Sequence, residues 1–385
     1  MTSEERREAR YQRRRAKRAA AKTARNRTAD NFSLVLSYGA LYDAYRACRR
    51  NVTWKASVQK YITQAPVNVY RTWKRLQDGT YASPRFFEFD ICERGKKRHI
   101  KSTIIGERVV QRALCDNSLV PALRRTFIHD NGACMTGKGY TFAVDRLCCH
   151  LQKFIRKHGP DGYILMCDLH SFFDSIMHWA VRKILHRQLT DLRLIGLSEE
   201  LIRQFDPDTP APYRRGLGLG SQISQVLAPA VASSMDHYIK TKLRVKYYGR
   251  YMDDFYLIDP DKATLRQYAN QIDEVCRSLG LELSRKKTQI FKLRRGFTFL
   301  KIKIRITETG HIVKRIARSS VTRERRKLKK LYHKYLEGRI TYTDAWNSFQ
   351  SWTAHAKRFA TWRTRINMEV LFARLFVGGN VLCCT

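Results

Sequence analysis

The sequence predicts an α+β chain preceded by a basic arm, on three observations. Two short apolar runs, Tyr163–Cys167 and Phe255–Ile258, read as buried strands, and each is edged by aspartate. Around them lie longer stretches with apolar residues at helical spacing, such as Leu265–Leu279. Residues 1–28 are dense in arginine and lysine and have no apolar stripe to bury.

Composition narrows the partners. Lys plus Arg number 74 and Asp plus Glu 34, a formal net charge of +40 that exceeds what solubility requires. Such an excess implies a polyanion, nucleic acid first and an acidic membrane surface second. No apolar run approaches the roughly 18 residues of a membrane span, and the basic start lacks the apolar core of a secretory signal. The ten cysteines, at 48, 92, 115, 134, 148, 149, 167, 276, 383 and 384, form no Cys-x-x-Cys pair. Reduced thiols and a cytoplasmic location are expected.

The arm, residues 1–30, favours helix by its Ala and Arg yet has nothing to pack. It is expected to be disordered or a solvated helix until it meets RNA. Tyr38–Arg50 reads as a helix, and Ser57–Leu76 as a helix broken or kinked at Pro66. Phe86–Ile91 reads as a strand, Glu93–Ile100 as a basic hairpin, and Glu107–Leu114 as a basic-faced helix, a sequence of elements suited to a triphosphate or a template backbone. Asn131–Tyr140 is a glycine-punctuated loop before the helix Ala143–His158. Gly132, Gly137 and Lys138 have the spacing of a phosphate-binding loop, but Gly139 stands where Ser or Thr is required and no full strand precedes it. A nucleoside triphosphatase is therefore disfavoured.

Asp168 is the first polar residue after the run Tyr163–Cys167. Residues 181–205 carry structural helices, and Asp206–Pro212 stops them. The glycine-rich stretch Gly216–Gln225 allows close backbone approach to a substrate and leads into the helix Val226–Lys240. Gly249–Ile258 reads as two buried strands joined by a tight turn carrying Asp253 and Asp254. Like charges beside a core are unfavourable unless a divalent cation joins them, and Mg²⁺ takes hard carboxylate oxygens. An exposed Asp-Asp turn is the blander alternative. Residues 319–385 read as mostly helical, with a strongly basic Thr322–Glu337 and a capping box at Thr341–Asp344.

Tyr251-Met252-Asp253-Asp254 in this setting resembles motif C of the reverse transcriptases. The stretch Tyr163–Ile176 is similar to motif A, Gly216–Gln225 to motif B, Leu281–Ile290 to motif D and Gly296–Lys301 to the primer grip, all in family order. The hairpin and the helix after it resemble the fingers of bacterial retroelement polymerases, and Ser348–Ala356 resembles their thumb helix. The resemblance covers roughly residues 31–376. Leu219 and Gln225 stand where most of the family has Gln and Pro, a variant similar to the enzymes of diversity-generating retroelements and related unclassified bacterial ones. Lys301 replaces the glycine of the primer grip. An arginine usual near Met135 is absent, with Lys138 as the candidate for its phosphate contact.

The resemblance implies a right-hand polymerase fold, with a basic arm at 1–30, fingers at 31–160, a palm at 161–310 and a helical thumb at 311–385. It implies RNA-directed DNA synthesis with two Mg²⁺ ions, Mn²⁺ being an alternative. Asp168, Asp253, Asp254 and the backbone carbonyl of Leu169 would hold the metals, and Lys287 would protonate the pyrophosphate. Arg98, Arg108, Phe173, Leu219, Gly220 and Gln225 would meet the nucleotide, with Phe173 as the gate against a ribose 2′-hydroxyl. The implied partners are an RNA template, a DNA or RNA primer, deoxynucleotides and a small basic accessory protein, with no membrane. An antiphage-defence enzyme and a catalytically idle RNA-binding protein stand as alternatives.

Overall fold

The computed structural model describes residues 2–26, 28–84, 86–93 and 96–378. The tip of the expected basic hairpin, Arg94-Gly95, and residues 379–385 with Cys383 and Cys384 lie outside the described residues. The arm is one helix, Ser3–Asn26, which opens on Glu4 and Glu5 at the positive end of its dipole. From Arg6 to Lys17 its side chains are exposed apart from Ala9, so it presents charge and contributes no core.

The helices Tyr38–Cys48, Ala56–Ile62 and Ala65–Gln77 follow. The interruption falls where Pro66 demands it, because proline takes an early helical position whose N–H has no acceptor anyway. Strands β1 (Phe87–Glu93) and β2 (Lys96–Ser102) pair antiparallel, with Phe89 opposite Ile100. The helix Ile105–Leu114 then buries Val109, Val110, Ala113 and Leu114.

The helix Tyr140–His158 leads into β3 (Tyr163–Asp168), which forms a four-stranded sheet with β4 (Tyr248–Tyr251), β5 (Asp254–Asp259) and β6 (Gln289–Lys292), in the order β4-β5-β3-β6. All its pairings are antiparallel. Side chains alternate across a strand, so this sheet separates two cores. Leu165, Cys167, Phe255 and Leu257 face one, with the helices Ile105–Leu114, His178–Gln188, Leu192–Arg203, Gln222–His237 and Lys262–Ser278. Ile164, Met166, Tyr256 and Ile258 face the other. That second core also holds a three-stranded sheet, β7 (Phe297–Phe299), β8 (Ile302–Ile306) and β9 (Ile312–Ile316), and the helices Arg318–Leu336, Tyr342–Ala356 and Trp362–Phe376. Burial of β3 on both faces explains why its sequence is a continuous apolar run.

One local detail corrects the sequence reading, and two others add to it. The helix expected from Val226 begins at Gln222, so Ser224 and Gln225 are helical, and it runs through Pro229. The β7–β8 turn keeps its tight form without glycine: Leu300 and Lys301 take φ of 47° and 65°, at about 1–2 kcal/mol each for a side chain in the left-handed region. Trp352 belongs to the second core, whereas Trp346 and Trp362 remain 39% and 66% exposed. The capping box at Thr341 and Asp344 is present. The eight described cysteines are free thiols. Among the described residues no helix is long and apolar enough to cross a membrane.

Candidate active site

β3 and β5 run side by side in a register that sets Asp168 directly opposite Asp254. Asp253 occupies the turn between β4 and β5, which Met252 enters with a left-handed φ of 56°. The N–H of Leu169 donates to the Asp253 carbonyl at 3.1 Å, and the N–H of Ser284 donates to the Asp168 carbonyl at 2.8 Å. This second bond straps the segment Leu281–Ser284 across the end of β3. It brings Lys287 over the site, where Nζ lies 2.6 Å from Asp168 Oδ2.

Crowding of carboxylates shapes the electrostatics. Asp168 is 5% exposed and Asp254 is half-buried. Burial first, and then the charges of Asp253 and Asp168, push the Asp254 carboxyl up to about 7. Partial burial pulls the Lys287 ammonium down, but the bond to Asp168 and the surrounding carboxylate charges prevail and raise it. Among the described residues no group of three His, Cys, Asp or Glu side chains is gathered closely enough to hold a metal ion. The Asp168–Asp254 pair nevertheless suits one, because hard oxygens under mutual repulsion are relieved by a divalent cation. The side chain of Leu169 is core at 1% exposure, so only its backbone is available to an ion.

The residues expected to meet the nucleotide form a second group. Gly220 has φ of 96°, a conformation costly for any side chain, and an added Cβ would meet only Ile100 of β2 at 3.8 Å. Leu219 before it is half-buried, and Gln225 is exposed on the first turn of Gln222–His237. Two bonds fasten this loop to the region of the helix Ile105–Leu114: Ser221 Oγ donates to Gln111 Oε1 at 2.7 Å, and Gln222 Nε2 to Asp116 Oδ1 at 2.8 Å. Phe173 is half-buried beside Phe172, with ring centroids 5.5 Å apart, and its carbonyl accepts from Leu217 N–H at 2.7 Å. The expected gate is thereby tied to the expected nucleotide loop. Arg108 folds back on the end of β2 and donates to Ser102 Oγ at 3.1 Å and Thr103 Oγ1 at 3.4 Å. Arg98 stands on β2 opposite Ile91, and its side chain lies outside the described residues.

The near-match to a phosphate-binding loop has a packing explanation. Gly132 donates its N–H to the Arg250 carbonyl at 2.8 Å, and a Cβ there would sit 2.9 Å from that of Ala143. Lys138 Nζ donates to the His129 carbonyl at 2.6 Å and lies over the Phe142 ring. The loop therefore packs beside β4, and its lysine is engaged by the protein.

Sequence reasoning missed the ion pair of Arg250 with Asp236, both side chains fully buried, at 2.6 Å. Each is one charge in an otherwise apolar pattern, the signal that should have prompted a search for a partner.

A family model described as reverse transcriptase (RNA-dependent DNA polymerase) matches residues 94–304, more than half of the chain. The chain belongs to the reverse transcriptase family. Among curated proteins, Protein YkfC of Escherichia coli (strain K12) is 26% identical over 250 residues, covering 54% of this chain and 62% of the relative. Among solved structures, telomerase from Candida albicans, in complex with a fragment of telomeric RNA, aligns with a TM-score of 0.51 at 14% identity. That alignment covers 79% of this reverse transcriptase and 56% of the telomerase chain, and at that identity it shows the shared fold. The fold of this reverse transcriptase is accordingly of the right-hand polymerase type. The chain spans less than two thirds of the length of either relative. Enzymes of this family use divalent metal ions.

Proposed function

We propose that this reverse transcriptase copies a structured RNA into DNA by two-metal nucleotidyl transfer, as part of a bacterial or phage retroelement. The observation that carries the reading is Asp168 set opposite Asp254, with Asp253 in the adjoining turn and the Lys287 ammonium 2.6 Å from Asp168. Asp168, Asp253 and Asp254, with the Leu169 carbonyl, would hold Mg²⁺ or Mn²⁺. Bound metal would supply charge stabilisation at the primer hydroxyl and the departing pyrophosphate. Lys287 keeps its proton at Nζ and is the donor to the leaving group. Phe173 excludes the 2′-hydroxyl. Arg98 and Arg108 serve the triphosphate, and Leu219, Gly220 and Gln225 border the incoming nucleotide. The division of labour follows the chain: arm 1–30, fingers 31–160, palm 161–310 and thumb 311–385. RNA template, primer, deoxynucleotides and a small basic accessory protein complete the assembly.

Sequencing the nucleic acid that copurifies with the protein tests the retroelement reading. One folded RNA, with DNA complementary to it, is expected; bulk cellular RNA without complementary DNA counts against it.

Two further results are expected. Deleting residues 1–28 should make the dependence of log affinity on log salt shallower for RNA, because each neutralised phosphate contributes about 0.7–0.9 to that slope. Filter binding over a salt series measures it, and an unchanged slope marks the helix Ser3–Asn26 as merely solvated. Leu219→Gln should lower misincorporation on a defined RNA template by a few-fold to about tenfold, the worth of one net hydrogen bond of about 0.5–1.5 kcal/mol. A destabilised variant with an unaltered error spectrum would show Leu219 to be packing only.

A further inference from the structure

We propose that Arg250, Asp236 and Tyr248 form a clamp that positions the carboxylate turn and couples it to the helix behind the nucleotide loop. The inference rests on the polymerase reading of the site.

Arg250 is in β4, three residues before Asp253, and Asp236 is near the end of the helix Gln222–His237. The guanidinium meets the carboxylate as a two-pronged fork, Nε to Oδ1 at 2.7 Å and Nη2 to Oδ2 at 2.6 Å. The Tyr248 hydroxyl donates to the same Oδ1. Two donor contacts remain on the guanidinium. Nη1 donates to the Met252 carbonyl at 2.9 Å, and Nη2 also reaches the Pro229 carbonyl at 3.2 Å. The Arg250 backbone is fixed as well, its N–H donating to the Asp130 carbonyl and its carbonyl accepting from Gly132. Every part of the residue is therefore anchored before it touches the turn.

The turn is backbone-strained. Met252 adopts φ of 56°, a region side chains avoid. Its carbonyl is held by Arg250 from one side, and the next carbonyl, that of Asp253, is held by Leu169 from β3. The two bonds set where the Asp253 and Asp254 carboxylates can point. The helix that supplies Asp236 begins at Gln222, directly after Gly220 and Ser221. One rigid element thus joins the nucleotide loop to the metal-facing turn. A buried ion pair is a poor route to stability compared with apolar packing. Its geometry, a planar fork with donors left over for a backbone carbonyl, is what an apolar pair cannot reproduce.

The clamp makes Arg250 a positioning residue, and Arg250→Lys separates positioning from folding. Lysine retains the charge toward Asp236 but has no planar fork to hold carboxylate and carbonyl together. The variant is expected to fold with a lowered midpoint, because buried oxygens lose donors, so activity and binding are read well below that midpoint. Its kcat in primer extension should fall about tenfold to a hundredfold, the penalty of a misplacement near 1 Å. The KM for deoxynucleotide should move less. Mn²⁺ affinity, measured by calorimetry on the full chain without nucleic acid, should weaken by a comparable factor. A folded Arg250→Lys with wild-type kcat and wild-type Mn²⁺ affinity overturns the clamp. Should that variant not fold, Tyr248→Phe decides: it keeps the ion pair and removes one bond to Asp236, and Mn²⁺ affinity is expected to drop a few-fold. Unchanged affinity there overturns the clamp equally. A wild-type chain that takes up no Mn²⁺ and extends no primer overturns the polymerase reading and the clamp with it, whereas a working wild type matched by its variant overturns the clamp alone.

Discussion

Asp254→Asn is expected to abolish primer extension and, above pH 7, to raise the melting temperature of the metal-free protein. The two effects have one origin. Asp254 faces Asp168 across the β3–β5 ladder and follows Asp253 in the chain, so its carboxylate, proposed above as a metal ligand, is also a source of repulsion. Its pKa, pushed up to about 7 by burial and by those two neighbours, exceeds the ordinary value of 3.8. A group whose folded pKa is raised contributes stability that is complete below the unfolded value and is lost as pH rises through the folded one. The wild type should therefore lose stability between about pH 4 and pH 7 relative to the Asn variant, with the difference constant at higher pH. Differential scanning calorimetry at several pH values, in the presence of a chelator, measures it. On activity, removing partners outside the metal ligands costs about 10–100-fold in metal proteins, so loss of a ligand should exceed that range. The same proton competes with metal, and half-saturating Mg²⁺ should rise as pH is lowered below about 7, by up to tenfold per unit for one displaced proton. A variant as active as wild type would remove Asp254 from the chemistry.

Phe173→Ala should admit ribonucleotides. The Phe173 ring is half-buried beside Phe172, and its carbonyl is bonded to Leu217 just before Gly218–Gly220. Truncation opens space at the edge of the nucleotide loop and leaves that backbone bond in place. Packing that rejects one methylene-sized group is worth about 10–200-fold in selectivity, and discrimination between deoxy- and ribonucleotides should fall by a factor of that size. The readout is the ratio of kcat/KM for each nucleotide on one RNA template. Unchanged discrimination with lowered thermal stability would make Phe173 a core residue and place the gate elsewhere.

Strands β3 and β5 were legible in the sequence because burial on both faces makes a strand an unbroken apolar run, and the carboxylates mark where each run meets the site. The motif order made the family legible as well. The register that sets Asp168 against Asp254 was not, since pairing between distant segments is decided by the whole sheet. The start of the helix Gln222–His237 was hidden by the glycines just before it, which read as loop. Lys138 shows what spacing leaves open: it fits a phosphate-binding loop by position, while the fold engages it with the His129 carbonyl. Arg250 and Asp236 were overlooked because their partnership spans 14 residues and exists only once helix and strand pack.

RNA-directed synthesis can be measured directly by extending a DNA primer on a defined RNA template with Mg²⁺ and deoxynucleotides, wild type beside Asp168→Ala. DNA of template length and complementary sequence is expected from the wild type, none with a chelator, and none from the variant. Products that ignore the template, or equal synthesis by the two proteins, would contradict it.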